Sequence, residues 1–145
     1  MKGKLILCVS VLVILASSAC KNKNSKTEAM VEKNCYRLVS GQDTVDLSIR
    51  IIGDSVVGNL KFNMFEKDDS EGIIKGKLTD SIILAEYTFV AEGKESNVNE
   101  VIFMLKPDAV IQGYGEMVEK DDKYVFSDSA QINFASILQK VNCKD

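Results

Sequence analysis

The sequence predicts an all-β fold: an antiparallel up-and-down meander of about eight strands, closed as a small barrel, with a short C-terminal helical segment. Three observations carry this reading. From Cys35 onward, apolar residues recur with a period of two rather than 3.6. Turn chemistry falls between these runs at short intervals, as Gly53-Asp54-Ser55, Thr79-Asp80, Pro107-Asp108 and Glu119-Lys120-Asp121-Asp122. Glycines stand inside the strands at Gly58, Gly76, Gly113 and Gly115, where propensity disfavours them; a sheet that must curl needs such relief on its inner face.

Residues 1–19 do not belong to that barrel. Lys2 and Lys4 precede an apolar run from Leu5 to Ala16, too short to span a bilayer stably, and Ser17-Ser18-Ala19 supplies a small-residue cleavage zone. Cys20 follows directly. The arrangement resembles the lipobox of bacterial lipoprotein signal peptides, with one departure. The position three before the cysteine, usually aliphatic, is Ser17, and Leu15 lies two further back. The resemblance implies cleavage before Cys20, diacylation of its thiol and acylation of the new amine. The competing readings are an ordinary secretory signal cleaved near Ala19, with Cys20 a structural thiol, and an uncleaved anchor.

Removing residues 1–19 leaves 126 of the 145 residues, which suits one domain, and loss of Lys2 and Lys4 takes the formal charge from −3 to −5. An acidic body argues against nucleic acid and against lying flat on an anionic membrane. Attachment to a membrane would then come from the lipid. Residues 20–33, with Lys21, Lys23 and Lys26 early and almost no apolar pattern, read as a flexible tether, and residues 34–145 as the barrel domain.

Of the four cysteines, Cys8 lies in the leader and Cys20 at its boundary, so Cys35 and Cys143 remain, one at each end of the folded part. Export to an oxidising compartment makes this pair a disulfide, stapling the first strand to the last segment. A redox or metal dithiol lacks both a C-x-x-C spacing and any histidine.

The strands follow in order. Val45, Leu47, Ile49 and Ile51 alternate with Asp46, Ser48 and Arg50; Gly58, Leu60, Phe62 and Met64 alternate with Val57, Asn59, Lys61 and Asn63. The pattern continues through Ile73 to Leu78, Ser81 to Val90, Glu100 to Lys106, Ala109 to Val118 and Lys123 to Phe126. A faint repeat, Asp54-Ser55-Val56-Val57, Asp80-Ser81-Ile82-Ile83 and Asp108-Ala109-Val110-Ile111, would open the return strand of three hairpins. In the tail, Ala130, Ile132 and Phe134 alternate like a strand, whereas Phe134, Ile137, Leu138 and Val141 fit an amphipathic helix. A strand to Phe134 and then one or two helical turns are expected.

Chemistry-bearing groups are sparse. With no histidine in the chain, His-based triads, His-metal sites and the usual pH switch are excluded. Glu66, Asp68, Asp69 and Glu71 crowd one loop and could hold Ca²⁺, but the EF-hand ligand order is missing, and a solvated acidic hairpin tip is the plainer reading. Glu86, Glu100 and Glu116 could be proposed as acid and base of a hydrolase. Alternation instead puts Glu86 with Thr88, and Glu116 with Gln112, on polar outward faces. No catalytic residue, metal ligand or cofactor is assigned, and no enzyme activity is expected. Gly113-Tyr114-Gly115 reads as a bend with one aromatic facing out. Ile82, Leu84, Ile102 and Met104 form an apolar surplus on the outer face, to be covered by the tail through Ile137, Leu138 and Val141, or to serve as a partner surface.

Cys20, the tether and the meander from Cys35 to Cys143 together resemble small envelope lipoproteins of Gram-negative bacteria, especially of Bacteroidota, that carry a lipocalin-like barrel. The lipocalin Gly-x-Trp signature and the C-x-x-C of copper-linked envelope-stress lipoproteins are both absent, so neither ligand class transfers. The resemblance implies a monomeric binding module that holds a small apolar ligand or lipid in the barrel mouth, where inward Phe62, Met64, Phe89 and Phe103 would line or fill the space. The alternative is a protein-interaction module, such as an inhibitor of an exported hydrolase or an envelope-stress component, acting through the loop Glu66 to Gly72 or Glu92 to Asn99. Surface-bound Bacteroidota lipoproteins tend to have acidic residues after the lipidated cysteine, whereas lysines follow Cys20. By resemblance, this points to the outer membrane, facing the periplasm.

Overall fold

The structure, a computed structural model, describes residues 31–91 and 95–144. The expected leader, Cys20 and most of the expected tether lie outside the described residues, as do residues 92–94 of one predicted loop. The chain forms β1 (Lys33–Ser40), β2 (Asp43–Ile52), β3 (Ser55–Asn63), β4 (Ser70–Thr79), β5 (Ile82–Ala91), β6 (Glu95–Leu105), β7 (Ala109–Tyr114), β8 (Met117–Lys120), β9 (Lys123–Phe126) and β10 (Asn133–Val141), with one 3-10 turn at Ser129–Gln131.

Strands β1 to β7 pair successively and antiparallel, and β10 lies between β7 and β1. Eight strands thereby close on themselves as an antiparallel barrel, as the alternation predicts; of the four glycines expected to relieve the inner face, Gly58 and Gly76 do lie inward, whereas Gly113 faces outward and Gly115 lies outside the strands. The hairpin β8–β9 is an excursion between β7 and β10, meeting the wall where Tyr124 pairs with Asn99 of β6.

Closure follows from residues that can face a crowded interior. Val45, Leu47 and Ile49 of β2 are buried while their neighbours are not, and they join Val56, Leu60, Ile74, Ile83, Phe103, Val110 and Leu138 in one core. Inward-facing Gly58 permits a sharp coil of the wall, since a Cβ there would stand 1.9 Å from the Ser48 carbonyl oxygen. The three repeat motifs sit together at one end, the upper end, each just before or at the start of β3, β5 and β7. Their carbonyls tie the hairpins together: Asp54 accepts from Leu78 N–H at 2.8 Å, Ser81 from Leu105 at 2.7 Å and Asp108 from Lys140 at 2.9 Å.

The Cys35–Cys143 disulfide is formed at this upper end, with Cα atoms 5.2 Å apart. It stands on the seam where the barrel closes. There β1 and β10 pair only from Cys35 to Arg37 against Gln139 to Val141, so a covalent bond reinforces a short ladder.

Three expectations need correction. The tail does not turn helical: Asn133–Val141 is a strand throughout, and Leu138 enters the core while Ile137 and Val141 stay exposed. A helix would gather these apolar residues on one stripe but leave β1 and β7 with open edges; the strand satisfies both. The predicted strand from Ala109 to Val118 breaks at Gly115-Glu116 into β7 and β8. The outer apolar surplus is covered by the tail only in part, by its early residues rather than by Ile137, Leu138 and Val141, and Leu84 stays 40% exposed. A Cβ on Gly113 would meet Ile132, Ile102 and Phe134 at 3.0 Å or less, so the approach to β10 closes over Ile102, which is 5% exposed.

Candidate functional site

At the upper end the interior is solid, and at the lower end it is not. Inward positions there belong to Phe62 of β3, Met64 just after it, Ser70 of β4, Tyr87 and Phe89 of β5, Asn99 of β6 and Gln112 of β7, lining an open-mouthed cavity of about 390 Å³. The space exists because β4 contributes little to it. Gly72 approaches β5 so closely that a Cβ would lie 2.1 Å from the Thr88 carbonyl oxygen, and Ser70 beside it is small.

The walls are aromatic. Tyr87 stacks on Phe89 with centroids 4.6 Å apart and planes 13° apart, and Phe62 meets Tyr87 edge-on at 6.0 Å. The Tyr87 hydroxyl donates to Ser70 Oγ at 3.2 Å, and Tyr114 at the rim donates to Ser136 Oγ at 2.8 Å. Gln112 is 6% exposed, and its Oε1 is buried without a hydrogen-bond partner among the described residues. Sequence reasoning placed Gln112 outward with Glu116. The register corrects this: Gln112 lies opposite Phe103, whose side chain is wholly internal.

The lips are built from the two regions with the most charge. Asp69 accepts from Met64 N–H at 3.2 Å and Asp43 from Phe65 N–H at 2.7 Å, fixing the β3–β4 loop, while Glu71 pairs with Lys61 at 3.0 Å. Opposite, Met117 and Phe126 bring the β8–β9 hairpin to the cavity. Glu86 and Glu100, cross-strand neighbours on the outer wall, hold that hairpin: Glu86 pairs with Lys123, and Glu100 Oε2 accepts from Phe126 N–H at 2.9 Å. Glu86 and Glu100, two of the three strand carboxylates, are thus positioned as struts. A larger groove of about 630 Å³ runs along the outer face of β4 and β5 past Leu84 and Phe134, and among the described residues it holds no buried unpaired polar atom.

Burial raises the phenol pKa of Tyr87 above its ordinary value of 10.0, with the Ser70 hydrogen bond opposing and Glu71 adding; burial, then Glu32, does the same to Tyr36. The unfolded chain releases these protons first, so stability is full below about pH 10 and declines as pH rises through the raised folded values. Urea midpoints at pH 8, 10 and 11 are expected to fall in that order. The fall is expected to be shallower in the Tyr36→Phe, Tyr87→Phe double variant; an equal slope would place the titration elsewhere.

Comparison with protein families, with curated proteins and with solved structures finds no match to this chain.

Proposed function

We propose that this protein is a lipid-anchored, non-enzymatic binding module of the bacterial envelope that holds one small, largely apolar molecule in the lower mouth of its barrel. The cavity of about 390 Å³, walled by Phe62, Tyr87 and Phe89 beside an otherwise packed interior, carries this reading. Its size falls in the range of small-ligand sites, and its lining is the usual mixture of aromatic surface and a few polar groups. The chain enters the barrel at the disulfide end, so the mouth lies at the end remote from the tether. A tether over 20–33 would have a root-mean-square span of about 20 Å, enough for the body to stand clear of lipid headgroups at the periplasmic face of the outer membrane.

The barrel closes entirely within residues 33–143, so a chain beginning at Lys21 retains the whole wall. That chain is expected to bind one equivalent of the neutral dye N-phenyl-1-naphthylamine with enhanced, blue-shifted emission. Asn99→Trp, which fills the mouth, is expected to weaken binding by about tenfold or more, a loss of at least ~1.4 kcal/mol, without lowering the melting midpoint. Absence of dye binding by the native chain would overturn the reading. The anchor is tested separately. In the full-length protein Cys20→Ser is expected to move a folded domain from the membrane fraction to the soluble periplasm, and retention in the membrane would count against lipidation at Cys20.

A further inference from the structure

We propose that the molecule held in this mouth is neutral and flat, and carries a hydroxyl or N–H group that donates a hydrogen bond to Gln112 Oε1. The inference rests on the mouth being a binding site and adds which chemistry it selects. Among the described residues Gln112 is the only buried polar side chain other than the tyrosines; it lines the cavity, and its Oε1, shielded from the open space, has no hydrogen-bond partner among them. An unpaired buried acceptor is destabilising, and most such groups in native proteins have a partner. Two hydroxyl donors at this end are already engaged elsewhere: Tyr87 donates to Ser70, and Tyr114 donates to Ser136. A donor arriving with the ligand completes the set once the carboxamide turns its Oε1 toward the open space.

The rest of the wall restricts the body that carries this donor. Tyr87 and Phe89 present a stacked pair of rings, to which a third planar group adds at little strain. Charge is restricted too. Among the described residues no lysine or arginine lines the cavity, and Asp68 and Glu100 stand on its border, so a carboxylate entering here would lose its hydration with none of these residues to supply a cation. Fatty acids and other organic anions are thereby disfavoured, and planar alcohols, phenols and amides favoured.

Three probes of one skeleton separate these terms by competition with N-phenyl-1-naphthylamine on the chain beginning at Lys21. 1-Naphthol supplies the donor, 1-methylnaphthalene replaces it with a methyl group of similar size, and 1-naphthoate replaces it with an anion. 1-Naphthol is expected to bind about tenfold more tightly than 1-methylnaphthalene, as one neutral hydrogen bond to a buried acceptor predicts, and 1-naphthoate most weakly of the three. Bulk hydrophobicity would order the first two the other way. Gln112→Leu is expected to abolish the preference for 1-naphthol and to raise the melting midpoint of the ligand-free protein, because it removes the orphan acceptor. Gln112→Met repeats the test with an unbranched side chain should leucine pack poorly. Equal affinity for 1-naphthol and 1-methylnaphthalene, or a preference that survives in both variants, overturns the assignment of Gln112 while leaving the mouth as a site. Failure of every probe and of the dye overturns the mouth reading, and this inference with it.

Discussion

Reduction of the Cys35–Cys143 disulfide is expected to destabilise the barrel by about 2–5 kcal/mol, the largest single loss available to a covalent change in this chain. The bonded residues are 108 apart in sequence, so the bond closes nearly the whole folded chain into one loop. For a loop of about 100 residues the chain-entropy estimate is about 4.7 kcal/mol. Location adds to length. The bond stands on the β1–β10 seam, whose ladder runs only from Cys35 to Arg37 on one side, so the same change that loosens the unfolded chain also weakens the closure of the native wall. Urea unfolding of the Cys35→Ala, Cys143→Ala double variant, beside the native chain with and without reductant, measures the effect. The reduced and double-variant proteins should agree with each other and show a larger m-value than the oxidised chain, because their unfolded states expose more surface. A loss below about 1 kcal/mol would mean that core packing, not the staple, holds the seam.

Phe103→Ala is expected to cost about 3–5 kcal/mol, against about 5–15 kcal/mol of total stability in a domain of this kind. Phe103 is fully buried, opposite Ile83 on β5 and Gln112 on β7, and truncation leaves a void in the packed part of the interior. The informative comparison is Phe89→Ala. That ring already borders open space at the mouth and is only partly buried, so its truncation removes fewer contacts and leaves little new void. Its expected loss is about half as large or less. Thermal melts of the two variants, read against one another, test the division of the interior into a solid upper part and an open lower part. Equal losses would show that the mouth is packed as tightly as the core.

Legibility of this fold varied along the chain for identifiable reasons. Val45 to Ile51 and Gly58 to Met64 alternate cleanly because one face of each strand meets the core and the other meets water, and period two then has no competitor. Residues 132–141 admit both periods, and the sequence holds nothing to choose between them. The choice is made by two strand edges, β1 and β7, nearly twenty residues away at the nearest point, whose hydrogen bonds only a strand can complete. The break at Gly115-Glu116 was hidden for a related reason: Ala109 to Val118 looks continuous until β6 is paired with β7 in one half and meets β9 in the other.

The site was harder to read than the fold. Phe62, Met64 and Phe89 were recognisable as inward residues that would line or fill a barrel, and they do line the mouth; Phe103 fills the core above it. Gln112 was assigned to the polar face with Glu116. The signal that places it inside is its spacing of two from Val110, a weak one in a segment where Ile111 is apolar as well and the strand ends shortly after. Glu86 and Glu100 were expected to point outward, and they do, but their use as struts for the β8–β9 hairpin depends on where a later segment lands.

By itself the sequence determined the strand class, most hairpin turns, the absence of histidine chemistry and the terminal cysteine pair, because alternation, turn residues and composition are local properties that each segment carries with it. Only the tertiary structure decided that the last segment is a wall strand, that the lower end of the barrel stays open, and that Gln112 turns inward there with its Oε1 unpaired. Those are matters of which side chains meet across the barrel. Such meetings are fixed by strand register and closure, summed over residues far apart in the chain, and no single segment records them.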